Sequence, residues 1–172
     1  MLVSGTLANR ANAGFEPTPE RYAQLIASNL LAFAPGRLRP DEAYTVLEPC
    51  IGVGDLAAPV AAVSGVRLYA VEQDPERAAV SRDRFPAATI FTADLGAVRI
   101  TPVSMSLALC NFPYGYDGVL GGRLEYQMLK QVTETLMPGG ILVTIVPARS
   151  GWDSLTIAYI GPKVAKAKIP AR

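Results

Sequence analysis

Five short apolar runs, at 45–47, 67–71, 89–92, 104–110 and 141–146, recur along the chain with stretches of helical spacing between them. No other feature constrains the fold as much. The runs do not alternate apolar with polar residues, as a strand with one wet face would, so burial on both faces is expected. Such strands joined through helices give an α/β fold: a doubly wound, mostly parallel sheet with helices on both faces. Thr18 and Pro19 read as the cap and first residue of a helix that carries Tyr22, Leu25, Ile26, Leu30 and Phe33 at helical spacing. A second helix is expected over 55–63, and a third from Asp74-Pro75 to about Phe85. The last, marked by Leu124, Met128, Leu129, Val132 and Leu136, should stop at Pro138-Gly139-Gly140. Residues 1–16 read as an N-terminal arm, 17–150 as the core, and 151–172 as one short strand followed by a basic tail.

With 172 residues, half of them hydrophobic, the chain is long enough for one globular domain. A formal net charge of +1 gives no global attraction for nucleic acid, so any basic contact surface must be local. There is no histidine, which removes Ser-His-Asp and Cys-His nucleophiles and every histidine-based metal site. Cys50 and Cys110 are the only cysteines and have no metal-ligand spacing, so no metal is expected. No run is long enough to span a membrane, and the first residues lack a signal-peptide core, so the expected compartment is the cytoplasm, with no membrane partner.

The chemistry gathers at the ends of the strands. "LEPCIGVGDL" puts Gly52 and Gly54 in the turn after the first strand, where missing Cβ atoms permit a tight turn and close approach of a ligand. Glu48 stands where a phosphate would disfavour a carboxylate, which argues for a ligand with a cationic part. Glu72 follows the second strand and is placed to accept from ribose hydroxyls. Asp94 follows the third and could accept from an adenine amino group. In open α/β sheets ligands bind at this carboxyl edge. The plainer reading of any one of these carboxylates is a helix cap or a solvated strand end. The fourth run ends in "LCNFPYGYDG", where one amide, Asn111, is flanked by Phe112, Tyr114 and Tyr116: a place suited to hold a flat polar ring.

Together these motifs resemble the class I S-adenosylmethionine-dependent methyltransferases, over residues 14 to about 147. "EPCIGVG" resembles their glycine-rich motif, "VEQD" their ribose motif and "TADL" their adenine motif; "NFPYG" resembles the [DN]-P-P-[YF] motif of amino-methyltransferases. "GFEPTP" is similar to the segment that closes over the methionine end in N6-adenine DNA methyltransferases, and the motif order is similar to that of the gamma-type enzymes. The resemblance implies a Rossmann-like fold and S-adenosyl-L-methionine as cofactor. It places Thr18 near the methionine carboxylate, Glu48, Pro49, Gly52 and Gly54 along the methionine and sulfonium side, Glu72 and Gln73 at the ribose, and Asp94 with Leu95 at the adenine. Asn111 then adjoins both cofactor and target. Its side-chain oxygen and the Phe112 carbonyl would accept from the adenine amine, with Pro113 and Tyr114 completing the motif and Tyr114 stacking on the base.

Phe112 stands where the DNA enzymes usually have proline, and the form N-[LIF]-P-[YF] resembles the rRNA adenine dimethylases. DNA is the favoured substrate, with RNA the alternative. A second alternative is a cofactor-binding but inactive subunit; a third, a nucleotide-dependent dehydrogenase, rests on fold alone and fits Glu48 and Asn111 poorly. The family's domain has an antiparallel strand pair after the fifth strand, which here reads as truncated. The resulting sheet edge could recruit a partner subunit or a second copy, or pair with residues 154–160 of the same chain.

Overall fold

The computed structural model describes residue 15 and residues 17–33, 43–63, 65–115, 122–146, 154–159 and 165–170. In chain order the elements are α1 (Glu20–Phe33), β1 (Tyr44–Glu48), α2 (Ala58–Ala61), β2 (Val66–Glu72), α3 (Pro75–Arg84), β3 (Thr89–Thr92), β4 (Met105–Cys110), α4 (Leu124–Thr133), β5 (Leu136–Val146), β6 (Ser154–Tyr159) and β7 (Ala165–Pro170). They form one seven-stranded sheet in the order β3-β2-β1-β4-β5-β6-β7. The first five strands are mutually parallel, and the order reverses between β1 and β4, which pair through Val46↔Leu107 and Leu47↔Ala108. The expected doubly wound α/β sheet is therefore present.

Successive side chains of each strand enter opposite cores, as the period of two requires. Val46, Leu107, Leu109 and Val143 pack on one face with Ile26 and Ala27 of α1 and Val60 of α2. Leu47, Ala108, Cys110 and Leu142 pack on the other with Val132 of α4 and the ring of Phe112. Both faces are covered, which explains why the runs show no polar alternation.

Four local expectations are corrected. The helix expected over 55–63 shrinks to Ala58–Ala61, because Pro59 has no N–H to give to the Asp55 carbonyl. α1 begins at Glu20, and the Pro19 carbonyl, not a Thr18 cap, accepts from Tyr22 and Ala23; on this helix Leu25 faces solvent. α4 ends at Thr133, and Leu136 already pairs with Met105 in β5. Pro138-Gly139-Gly140 lies inside that strand, at the register shift opposite Met105 and Leu107, where Gly139 takes φ +83. A Cβ at Gly140 would meet the Met137 carbonyl oxygen at 2.9 Å.

At the C-terminus the sequence reading of one strand and a tail is also corrected. β6 pairs antiparallel with β5 from Ile141↔Tyr159 to Val146↔Ser154, and the basic segment forms β7, antiparallel to β6. The strand pair that reads as missing is present. Alanine and lysine are weak strand formers, so "AKAKIP" carries little strand signal of its own. Of the pairings left open for this edge, the one within the chain is present, through residues 154–159.

Removing every residue after Arg149 would strip β6 from β5 and leave an unpaired parallel-sheet edge. The truncated chain is expected to aggregate, read as high-mass species in light scattering. A soluble monomer of unchanged thermal stability would contradict this.

Candidate functional site

The site is built on the carboxyl ends of β1, β2 and β4. Because β1 pairs with β2 on one side and β4 on the other, Glu48, Glu72 and Asn111 leave the sheet at one edge. The Cys50 thiol reports the convergence: burial first, then the charges of Glu72, Glu48 and Asp94, push it up to about 12. Cys110 is likewise pushed up, chiefly by burial. Both shifts disfavour the thiolate, the nucleophilic form.

Glu72 ties together the half of the site that holds the glycine turn. One oxygen, Oε2, accepts from the Gly52 N–H at 2.8 Å. The other, Oε1, accepts from the Asp74 N–H at 2.8 Å and from Arg77 Nη2 at 2.9 Å. A single buried carboxylate thus fixes the glycine turn to the entry of α3. Asp74 caps that helix through the Arg77 N–H, as its Asp-Pro pair predicts. Ser81 of α3 donates to the Gly52 carbonyl at 2.7 Å, so both polar groups of the Gly52 backbone are satisfied. Gln73, next to Glu72, is exposed.

Gly52 and Gly54 take φ +57 and +85. Both face aromatic rings of this chain: an added Cβ would lie 2.4 Å from Phe15 at Gly52 and 2.2 Å from Phe85 at Gly54. The Phe15 ring is stacked in turn under the Arg77 guanidinium, 5.0 Å from its centroid. Phe15 belongs to the "GFEPTP" segment, but its seat on the glycine turn depends on a contact between distant parts of the chain. Sequence reasoning missed it, together with Ser81 and Arg77.

Glu48 is 2 % exposed, and Pro49 beside it is buried. Its Oε2 is the one buried side-chain polar atom without a hydrogen-bond partner among the described residues. Burial, reinforced by the charge of Asp55, holds its carboxyl well above the ordinary glutamate range; Arg84 and the Ala57 N–H oppose this more weakly. An uncompensated buried carboxylate costs several kcal/mol, and retaining the proton relieves it. Asp94, by contrast, is exposed and uses Oδ1 to cap the 3₁₀ turn Leu95–Ala97 through the Gly96 N–H at 2.7 Å. Its capping role is what the structure describes, and Leu95 is buried in the core.

The other half of the site is Asn111-Phe112-Pro113-Tyr114, at the end of β4. The Asn111 amide Nδ2 donates to Thr18 Oγ1 at 3.1 Å, and its Oδ1 accepts from the Tyr114 hydroxyl at 3.3 Å. That hydroxyl also donates to the Ile145 carbonyl at 2.6 Å, anchoring the motif to β5. The Phe112 ring is buried in the core, so it does not line the crevice. Pro113 and Tyr114 are half-buried, and Tyr116 lies outside the described residues. Among the described residues no cluster of His, Cys, Asp and Glu could hold a metal ion, and no helix is long and apolar enough to cross a membrane.

No protein-family model and no curated protein matches this sequence. Solved structures do match. One is a TehB-like SAM-dependent methyltransferase from Corynebacterium glutamicum, 21% identical, covering 87% of this chain and 73% of its own, with a TM-score of 0.54. Another is CalS10, an amino pentose methyltransferase from Micromonospora echinaspora solved with SAM bound, 17% identical, covering 96% and 80%, with a TM-score of 0.55. The cyclase SpnF also matches at 17% identity and a TM-score of 0.52, covering 77% of this chain and 47% of its own. The chain therefore has the class I SAM-dependent methyltransferase fold. A cyclase among the neighbours means the reaction must be argued from the site.

The buried Glu48 gives a pH signature. Its folded value lies above its ordinary 4.5, so the folded chain keeps a proton that the unfolded chain releases. Stability should therefore decline as pH rises above about 4.5 towards the raised folded value. Glu48→Gln is expected to abolish this decline and to raise the melting temperature of the ligand-free protein at pH 8. A wild-type melting temperature with no decline that Glu48→Gln removes would contradict this assignment.

Proposed function

We propose that this chain is an S-adenosyl-L-methionine-dependent methyltransferase that transfers a methyl group to the N6 amine of adenine in DNA. The observation that carries the proposal is the Asn111 amide, held between Thr18 and Tyr114 at the end of β4, beside the strand that ends in the unpartnered carboxylate of Glu48.

The residues present fit the cofactor. Glu48 Oε2 is a buried acceptor without a donor, suited to a ligand's ammonium group. Glu72 Oε2 accepts from the Gly52 N–H and retains capacity for a ribose hydroxyl. The glycine turn presents backbone close to that carboxylate. The cofactor supplies a methyl group on a sulfonium, whose leaving group is a neutral thioether.

This chain's residues then have to present the amine. An exocyclic adenine nitrogen is a weak nucleophile because its lone pair is delocalised into the ring. The Asn111 side-chain oxygen and the Phe112 carbonyl are two acceptors at the same strand end. Holding both amine hydrogens, they favour a more tetrahedral nitrogen with its lone pair directed at the methyl carbon. The buried Phe112 ring anchors the backbone that carries this carbonyl, standing in for the rigidity that proline gives the related motif. Tyr114, tied through its hydroxyl to Ile145, offers a fixed ring on which an extruded base can stack. Positioning supplies much of the rate in such a reaction. It requires neither histidine nor metal.

Incubation with labelled S-adenosylmethionine and either A-rich DNA or A-rich RNA tests the proposal. Label is expected in DNA, at N6 of adenine. Asn111→Ala should lower transfer by a factor on the order of 100 or more while leaving cofactor affinity nearly intact. Transfer to RNA alone would move the reading to the RNA adenine enzymes. Cofactor binding with no transfer to either would contradict it, as would loss of cofactor binding in a folded Asn111→Ala.

A further inference from the structure

We infer that Thr18 is a positioning residue for Asn111. This goes beyond the methyl-transfer reading but rests on it. By family resemblance Thr18 belongs to the methionine end of the cofactor; in this chain its hydroxyl also accepts from the Asn111 amide.

Thr18 is buried, 7 % exposed, and its Oγ1 lies 3.1 Å from Asn111 Nδ2, a contact between residues 93 apart in sequence. Asn111 follows a rigid buried strand, but its amide still has two side-chain torsions to settle. Tyr114 contributes one restraint, at 3.3 Å, and its single proton is shared with the closer Ile145 carbonyl. The Thr18 hydroxyl is the second restraint, on the other end of the amide. Restraints at both ends of the amide hold its plane more firmly than a restraint at one end. An acceptor that must meet an amine hydrogen tolerates little misplacement.

Phe15 reaches the half of the site that holds the glycine turn. It covers Gly52, whose N–H is bound by Glu72, and stacks on Arg77, which binds the same carboxylate. Phe15 and Thr18, three residues apart in sequence, therefore touch the two halves of the site.

The test uses Thr18→Val, which keeps the shape and removes the hydroxyl, and Thr18→Ser, which restores it. With wild-type transfer to DNA as the reference, Thr18→Val should lower kcat at saturating cofactor on the order of 10- to 100-fold. Its cofactor Kd should stay within about 3-fold, and Thr18→Ser should recover most of kcat. A large rise in Kd with kcat preserved at saturation would make Thr18 a cofactor ligand and overturn the inference. Should the wild type transfer no methyl group, the proposed function fails on its own, and a second readout still decides the role of Thr18. The Asn111 side-chain NH2 protons, assigned in a nitrogen-labelled sample by their loss in Asn111→Ala, should exchange slowly in wild type and Thr18→Ser and faster in Thr18→Val. Equal exchange in all three would overturn the inference whatever the enzyme does.

Discussion

The carboxylate of Glu72 is the interaction on which the rest of the site depends. It sits at the end of β2 and gathers the Gly52 N–H, the Asp74 N–H and the Arg77 side chain. The glycine turn leaves β1 with positive φ and would otherwise expose a buried amide. The same carboxylate receives the first turn of α3, whose Ser81 reaches back to the Gly52 carbonyl. Turn, strand end and helix are thus fixed to one another by one residue. Under the proposed function a ribose would use the same group, so a change at Glu72 would strain the fold before it reported on affinity.

Glu48 poses the opposite situation. Its neighbours satisfy only part of its carboxylate and leave Oε2 unpartnered in a buried position. In the ligand-free chain this is a net burden on stability, eased by keeping the proton. Natural sites tolerate such a burden where function requires it. A cationic ligand would reverse the balance by giving the unpartnered Oε2 an opposite charge. The site is therefore more than a set of residues at a sheet edge: one carboxylate is engaged internally, and its neighbour has unused acceptor capacity.

Much of this was legible in the sequence, because the parallel sheet leaves a strong mark. Runs buried on both faces, Asp74-Pro75 at a helix start and acidic residues at strand ends each have a local cause. What was not legible is non-local or balanced between competing effects. Pro59 shortens α2 within a run that otherwise looks helical. Leu136 joins β5 two residues after α4's cap because Met105 offers it a partner across the sheet. "AKAKIP" becomes a strand because β6 templates it. The Phe15 seat on Gly52 and the Thr18 contact to Asn111 join an arm to two distant loops, and no spacing rule reaches that far. At Asp94 the structure shows the plainer of the two sequence readings, a cap made through Oδ1.

The most direct test of the account is the proton balance of cofactor binding, measured by calorimetry with S-adenosylmethionine at neutral pH in buffers of different ionisation enthalpy. If the raised carboxyl of Glu48 gives up its proton to receive the ligand's cationic group, binding by the wild type releases a proton. Glu48→Gln then binds more weakly and releases none. Binding with the same proton balance in both proteins, or no binding by a folded wild type, would contradict the claim that Glu48 is built to hold a cation.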